Sequence, residues 1–219
     1  MELRHSTWQE VERYLDGSNS IVMPIGSTEQ HGPNGLVGTD ALCPESLALE
    51  MGKQTGALIA PTISVGMAQH HLAFPGSITL RPSTLVLVIR DMVNSLIQQG
   101  FERFYFLNGH GGNIATVHAA FSEIYAQSSL GAQPANNTSV RCKLKNWWEA
   151  DGVMALSKDL FGDADGSHAT CGEVSLTQYA YPHSIKSAEM DPPIAPTGPI
   201  YDAADYRRRF PDGRIGSNP

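Results

Sequence analysis

Ile25-Gly-Ser-Thr-Glu-Gln-His-Gly-Pro-Asn-Gly-Leu-Val-Gly-Thr-Asp40 places two carboxylates and an imidazole, Glu29, His31 and Asp40, in a loop held by Gly32, Pro33, Gly35 and Gly38. Immediately before it, Ile21-Val-Met-Pro-Ile25 reads as a short buried strand. The loop therefore begins where a strand releases the chain at a sheet edge, the place where open α/β folds put their ligand sites. Glu29 and His31 are two apart, so in extended chain they leave on one face and can reach a common cation. On its own this carries little weight, because Gly, Pro, Asn and Asp are ordinary turn residues and a Glu and a His in a turn are usually just solvated.

Two further groups of the same chemistry change that. Phe104-Tyr-Phe-Leu107 is a second buried strand, and it runs into Asn108-Gly-His-Gly-Gly-Asn113, which again presents one imidazole, His110. The glycines do not follow the spacing of a phosphate-binding loop. Gly162-Asp-Ala-Asp-Gly-Ser-His-Ala-Thr-Cys-Gly-Glu173 supplies His168 and, five residues on, Glu173 at the start of a helix, where an acid also complements the helix dipole. Val140–Leu144 reads as a strand ending at Trp147 and Trp148, which either plug the core or give a pocket at the same edge a flat wall.

The remaining chain fills in the fold. Ser6 or Thr7 caps a helix through Trp8, Val11 and Leu15, and Pro44 begins a helix to about Met51. Ala57–Ala60 is a strand, and Leu85 to Ile97 follow helical spacing with Gly100 just past the end. Residues 67–77 read as a functional loop or lid in which His70 and His71 have no role by spacing alone. Ile114 to Ile124 form an amphipathic helix with His118 on its apolar stripe as a core histidine, and 127–137 is a surface loop. A short helix covers about 153–161, and Glu173 opens the last one. From Pro182 the chain is rich in proline, glycine and charge and ends without a closing helix.

Strands alternating with helices predict a single domain over 1–219, a three-layer α/β/α sandwich with a mainly parallel sheet. Right-handed crossovers bring the three loops to one edge. The 219 residues carry a formal charge of −7, which argues against nucleic-acid binding. No segment has the length of a signal peptide's apolar core or a membrane span. Cys43, Cys142 and Cys171 give no CxxC spacing, so a cytosolic protein without a thiolate zinc site is expected.

Glu29, His31, Asp40, His110, His168 and Glu173 together form an oxygen and imidazole donor set suited to Zn²⁺, Mn²⁺ or Fe²⁺ rather than to a structural zinc. That is more than one open catalytic site uses, and an aspartate can bridge, which points to two cations roughly 3.5–4 Å apart and to hydrolysis. A dinuclear phosphoesterase predicts basic residues that these loops almost lack. The non-enzymatic alternative is a metal-binding regulatory or assembly protein without turnover.

Pro24-Ile-Gly-Ser-Thr-Glu-Gln-His-Gly-Pro33 with Gly38-Thr-Asp40, Phe74-Pro-Gly76, Asn108-Gly-His-Gly-Gly-Asn113, and His168 with Glu173 resemble the creatininase (creatinine amidohydrolase) family from about residue 6 to the last residue. The resemblance implies an α/β fold with a binuclear centre of zinc with zinc, manganese or iron. It also implies hydrolysis of a non-peptide C–N bond in a small amide and a cytosolic homohexamer. It implies Glu29, His31, Asp40 and His110 as ligands, Asp40 as the bridge, and His168 as the group that passes a proton to the leaving nitrogen. His71 matches a loop position near the substrate, and Trp147 or Trp148 an aromatic wall. Creatinine-hydrolysing members carry a glutamate where this chain has Gly112 and an acid where it has Ser167. Relatives with the same glycine-rich turn draw that carboxylate from the position of Glu173, so Glu173 is expected as the fifth ligand within the catalytic set, and the substrate is expected to be a formamide or another amide rather than creatinine. Members also commonly run on into a further C-terminal helix, which this chain is expected to lack.

Overall fold

A computed structural model describes residues 1–131 and 140–219. Among the described residues four strands, β1 (Ser20–Ile25), β2 (Leu58–Ile59), β3 (Arg103–Asn108) and β4 (Arg141–Asn146), form one sheet in the order β2-β1-β3-β4, with these strands paired in parallel. Around it lie α1 (Trp8–Leu15), α2 (Thr39–Thr55), α3 (Pro82–Ile97), α4 (Ile114–Leu130), α5 (Val153–Phe161), α6 (Cys171–Ala180) and α7 (Ala203–Arg209).

The strand residues alternate between two cores, as the period of two requires. Ile21, Met23, Ile25, Leu58, Phe104 and Phe106 face a cluster completed by α3 and α4. Val22, Ile59 and Leu107 face the other way, against Ala48 of α2. A sheet buried on both faces reads as near-continuous apolar runs, which is why these strands are recognisable in the sequence. Leu85, Ile89, Val93 and Leu96 of α3 are all buried, and each such side chain stabilises the fold by about 1.5–3 kcal/mol.

Thr7 caps α1 through a capping box with Glu10, and Trp8 at the first position of the helix is 70% exposed. His118, expected in the core, is also exposed and meets Phe121 edge-on, because the buried stripe of α4 runs through Val117, Ala120, Phe121 and Ile124. The surface loop expected over 127–137 begins later, since α4 continues to Leu130; residues 132–139 lie outside the described residues. A helix absent from the sequence reading, α7, is capped by Asp202 and buries Tyr206, with Phe210 just past its end, against Phe74 and Ile215. One buried position in a seven-residue charged helix leaves too weak a period to detect.

The largest difference is at α2. It starts at Thr39, so Asp40 belongs to its first turn rather than to the loop, and Pro44, expected to open the helix, sits inside it. A proline there cannot donate to the carbonyl four residues back, which is that of Asp40. The same carbonyl is where the two strand exits come closest: a Cβ on Gly26 or Gly109 would lie 2.0 or 1.9 Å from Asp40 O. Gly109→Ala should therefore destabilise the protein by about 1–3 kcal/mol in denaturant melts, the usual cost of overpacking. Gly111→Ala, with nothing within 4 Å, should stay within about 0.5 kcal/mol. Equal effects would mean that α2 does not press on the strand exits.

Candidate metal centre

Ile25 of β1 pairs with Asn108 of β3, and Asn108 with Asn146 of β4, so the strands release their loops at one level. Buried side-chain amides then tie those loops together. Asn108 Nδ2 donates to Asn146 Oδ1 at 2.8 Å and to His110 O at 2.7 Å, while its Oδ1 accepts from His110 N at 3.1 Å. Asn113 Nδ2 donates to Gly26 O at 2.9 Å and its Oδ1 accepts from Met67 N at 3.0 Å. His168 and Glu173 arrive from the other side of the rim. Ala169 between them has φ of +53°, a conformation L residues adopt only when their surroundings hold them in it. The capping box of α6 fixes Glu173, whose Oε1 accepts from Thr170 N at 2.5 Å.

At the centre is Asp40, 3% exposed, with an imidazole on each carboxylate oxygen. His31 Nε2 is 3.0 Å from Oδ1, and His110 Nδ1 is 2.8 Å from Oδ2. The far nitrogen of each ring faces a main-chain carbonyl, His31 Nδ1 on Glu29 O at 3.1 Å and His110 Nε2 on Met67 O at 2.9 Å. A carbonyl only accepts, so those nitrogens carry the hydrogens. In their neutral forms both rings then aim lone pairs at the lone pairs of Asp40. Something positive must lie between them, either a proton or a cation.

Three sets of ligand atoms lie within 4.8 Å of one another: Glu29, Asp40 and His110; His31, Asp40 and Glu173; and Glu29, His31 and His168. Asp40 belongs to two of them. Both oxygens of Glu29 and Oδ2 of Asp40 are buried without a well-directed hydrogen bond, although imidazole nitrogens approach as near as 2.8–3.3 Å. Buried carboxylate oxygens left in this state fit a pair of divalent cations, and the all-oxygen-and-imidazole donor set has the matching chemistry.

The titration of these groups follows from the same geometry. Burial disfavours His31 as a cation, yet Asp40 overrides it and raises its pKa to about 10; Glu29 and Asp40 together raise His110 to about 9. Burial pushes Asp40 up, but His31 and His110 outweigh it and hold the acid well below its usual range. Burial dominates for Glu29, which is raised, and for Glu173, raised to about 7 against the pull of His31. Burial and neighbouring imidazoles lower His168, and they lower His71 to about 3.

All six side chains expected to meet, Glu29, His31, Asp40, His110, His168 and Glu173, therefore converge. His71, expected beside the substrate, is 1% exposed and stands 3.0 Å from Glu29 Oε1, backing that carboxylate. Trp147 turns against the α2-side core, the plugging role of the two left open for it, and Trp148 meets it edge-on at 6.2 Å. Sequence reasoning missed Gln30, which touches both His71 and His168, and Tyr206, whose ring packs on them. Gln30 sits between two suspected ligands, which was the available signal; Tyr206 had none.

Because His31 and His110 are raised above their ordinary value of 6.5, their protons stabilise the metal-free fold fully below that pH and progressively less up to about 10 for His31 and about 9 for His110. The melting temperature of metal-free protein should fall as pH rises from 6.5 to 10, and added zinc, which displaces those protons, should abolish the fall. A flat profile without metal would show that protons do not hold these carboxylates together.

The family profile described as "Creatininase: Creatinine amidohydrolase" matches residues 4–219. Creatinine amidohydrolase of Pseudomonas putida is 27% identical over 212 residues, covering 90% of this chain and 78% of its own. A mycofactocin precursor peptide peptidase of Mycolicibacterium smegmatis is 33% identical over 106 residues, which span 46% of this chain and only 42% of that relative. Among solved structures, a creatinine amidohydrolase superposes with a TM-score of 0.83 at 23% identity, covering 99% of this chain and 86% of its own, and a manganese creatininase with 0.81 at 23%, covering 99% and 87%. With a matching profile over nearly its whole length, the chain belongs to the creatininase family.

Proposed function

We propose that this chain is a dinuclear-metal amidohydrolase acting on a non-peptide C–N bond of a small amide, a formamide or a cyclic amide. The observation that carries the reading is Asp40, whose two oxygens each join a separate group of ligand atoms. Glu29, Asp40 and His110 would hold one cation, and His31, Asp40 and Glu173 the other. Zinc with zinc, manganese or iron suits these donors, and a zinc–zinc form and a manganese form are known for creatininase structures of this fold. When bound, the pair supplies hydroxide at neutral pH and polarises the carbonyl under attack.

The chain's own residues do the rest. His168, neutral and against the cluster, would take the proton of the attacking water and return it to the leaving nitrogen, a transfer worth about 10²–10⁴ in rate. His71 backs Glu29 rather than reaching outward, so substrate contact falls to the rim, where Trp148 is the proposed flat wall. Glu173 replaces the carboxylate that creatinine-hydrolysing members carry at Gly112. A Cβ on Gly112 would lie 2.4 Å from His110 Nε2 and 2.8 Å from Met67 O, so a side chain there requires His110 or the Met67 carbonyl to shift. A cytoplasmic homohexamer belongs to the same reading, supported by the three free cysteines and by Met154, Leu156 and Leu160, which α5 leaves exposed. Among the described residues no helix is long and apolar enough to cross a membrane.

Elemental analysis of purified protein joined to a screen of formamides and cyclic amides, creatinine included, tests the proposal. Two ions per chain and turnover of one substrate class are expected. His110→Ala should lose metal and activity together, while His168→Ala should keep its metal and lose about 10²–10⁴ in kcat. Metal without hydrolysis across the panel would favour a regulatory protein that kept the fold. Full metal and full activity in His110→Ala would refute the ligand assignment.

A further inference from the structure

Gln30 lies between Glu29 and His31 in sequence but turns away from the ligand cluster. Its side chain is enclosed by His71, His168, Tyr206 and Gly213. Oε1 accepts from Gly32 N at 2.9 Å, which fixes the carboxamide so that Nε2 points at the two imidazoles. Nothing but glycine fits at 213, where φ is +93° and a Cβ would lie 1.8 Å from Oε1.

The hydrogens can be placed by elimination. An amide nitrogen only donates, so at 3.0 Å from Gln30 Nε2 the Nδ1 of His71 must accept, leaving its hydrogen on Nε2, 3.0 Å from Glu29 Oε1. The main-chain carbonyl of Gln30 only accepts, and His168 Nε2 lies 2.8 Å from it, so that nitrogen carries the hydrogen of the second ring. The 2.9 Å approach of Gln30 Nε2 to His168 Nε2 is then a contact rather than a bond. The second amide hydrogen goes to Gly213 O at 3.0 Å, which also accepts from Tyr206 Oη at 2.8 Å. Both amide hydrogens are then used, Gly213 O accepts twice through its two lone pairs, and Tyr206 Oη, 3.3 Å from Gln30 Nε2, receives neither of them.

We propose that Gln30 is a positioning residue that sets the tautomers of both histidines, through its side chain for His71 and its main chain for His168. The bare nitrogen of His168 is consequently Nδ1, on the ring edge that faces the cluster, 3.8 Å from Glu29 Oε1. If the hydrolase reading holds, on which this consequence rests, Nδ1 is the atom that takes and returns the proton. The amide also keeps His71 Nε2–H turned toward Glu29, as a second partner keeps a ligand carboxylate in place.

The test is nitrogen NMR of the full chain with ¹⁵N-labelled histidine, before and after addition of excess zinc sulfate, for wild type and Gln30→Met. In wild type, His71 and His168 should both carry hydrogen on Nε2 and none on Nδ1. In Gln30→Met the His71 Nδ1 resonance should move to lower field as it loses the amide hydrogen bond, while the tautomer of His168 is unchanged. A hydrogen on Nδ1 of either ring in wild type, or an unmoved His71 Nδ1 in the variant, would overturn the proposal; should the variant fail to fold, the wild-type spectrum alone decides. Zinc-induced shifts at His31 and His110 report separately on the metal centre. Their absence would count against the hydrolase reading while leaving the tautomers to stand or fall on their own signals.

Discussion

One carboxylate organises this molecule. Asp40 is buried with an imidazole on each oxygen and two further acids nearby, and removing one member of such a buried set typically costs about 3–5 kcal/mol because it strands the rest. Much of the surrounding architecture brings Asp40 to that point. Pro44 frees its carbonyl from the helical ladder, Gly26 and Gly109 let both strand exits close on that carbonyl, and the first turn of α2 delivers the carboxylate to the sheet rim. Asn108, Asn113 and Asn146 then fix the loops by hydrogen bonds that no charged residue needs to supply.

The far half of the site depends on the C-terminal segment. Ser167 N donates to Ile215 O at 2.9 Å and Ser217 Oγ to His168 O at 2.8 Å, so this segment holds the main chain on either side of His168. Arg214, with no exposed surface, anchors it through Asp212 and the carbonyls of Ser217 and Pro192. Tyr206 and Gly213 bring it against Gln30. The side of the cluster that carries His168 is thus built by chain that lies far in sequence from Glu29, Asp40 and His110, which the strand exits and the first turn of α2 supply.

The strands and the long helix α3 were legible because a parallel sheet needs apolar runs and a packed helix needs its stripe. The six converging acids and imidazoles were legible because each followed a recognisable strand or opened a helix, and topology does the gathering. Asp40 reads as a loop residue because Pro44 looks like a first-turn residue, and only the packing of Gly26 and Gly109 shows why a proline is tolerated one turn in. Tyr206 escapes a sequence reading for a different reason, and Gln30 offers only its place between Glu29 and His31. Their roles come from contacts across the fold, 176 residues apart in the case of this pair, and no local period or composition records them. His70 and His71 were undervalued for the same reason, being 7% and 1% exposed in a segment that reads as an open loop.

On the proposed reading, the fifth ligand carboxylate is Glu173, at the start of α6, rather than a residue at Gly112. The capping box of α6 holds Glu173 at the N-terminus of that helix, whose dipole favours its charge. Anomalous diffraction at the zinc edge from crystals grown with zinc tests the whole account most directly. It should show two peaks flanking Asp40, one among His31, Asp40 and Glu173 and one among Glu29, Asp40 and His110. A single peak remote from Asp40, or none, would contradict it.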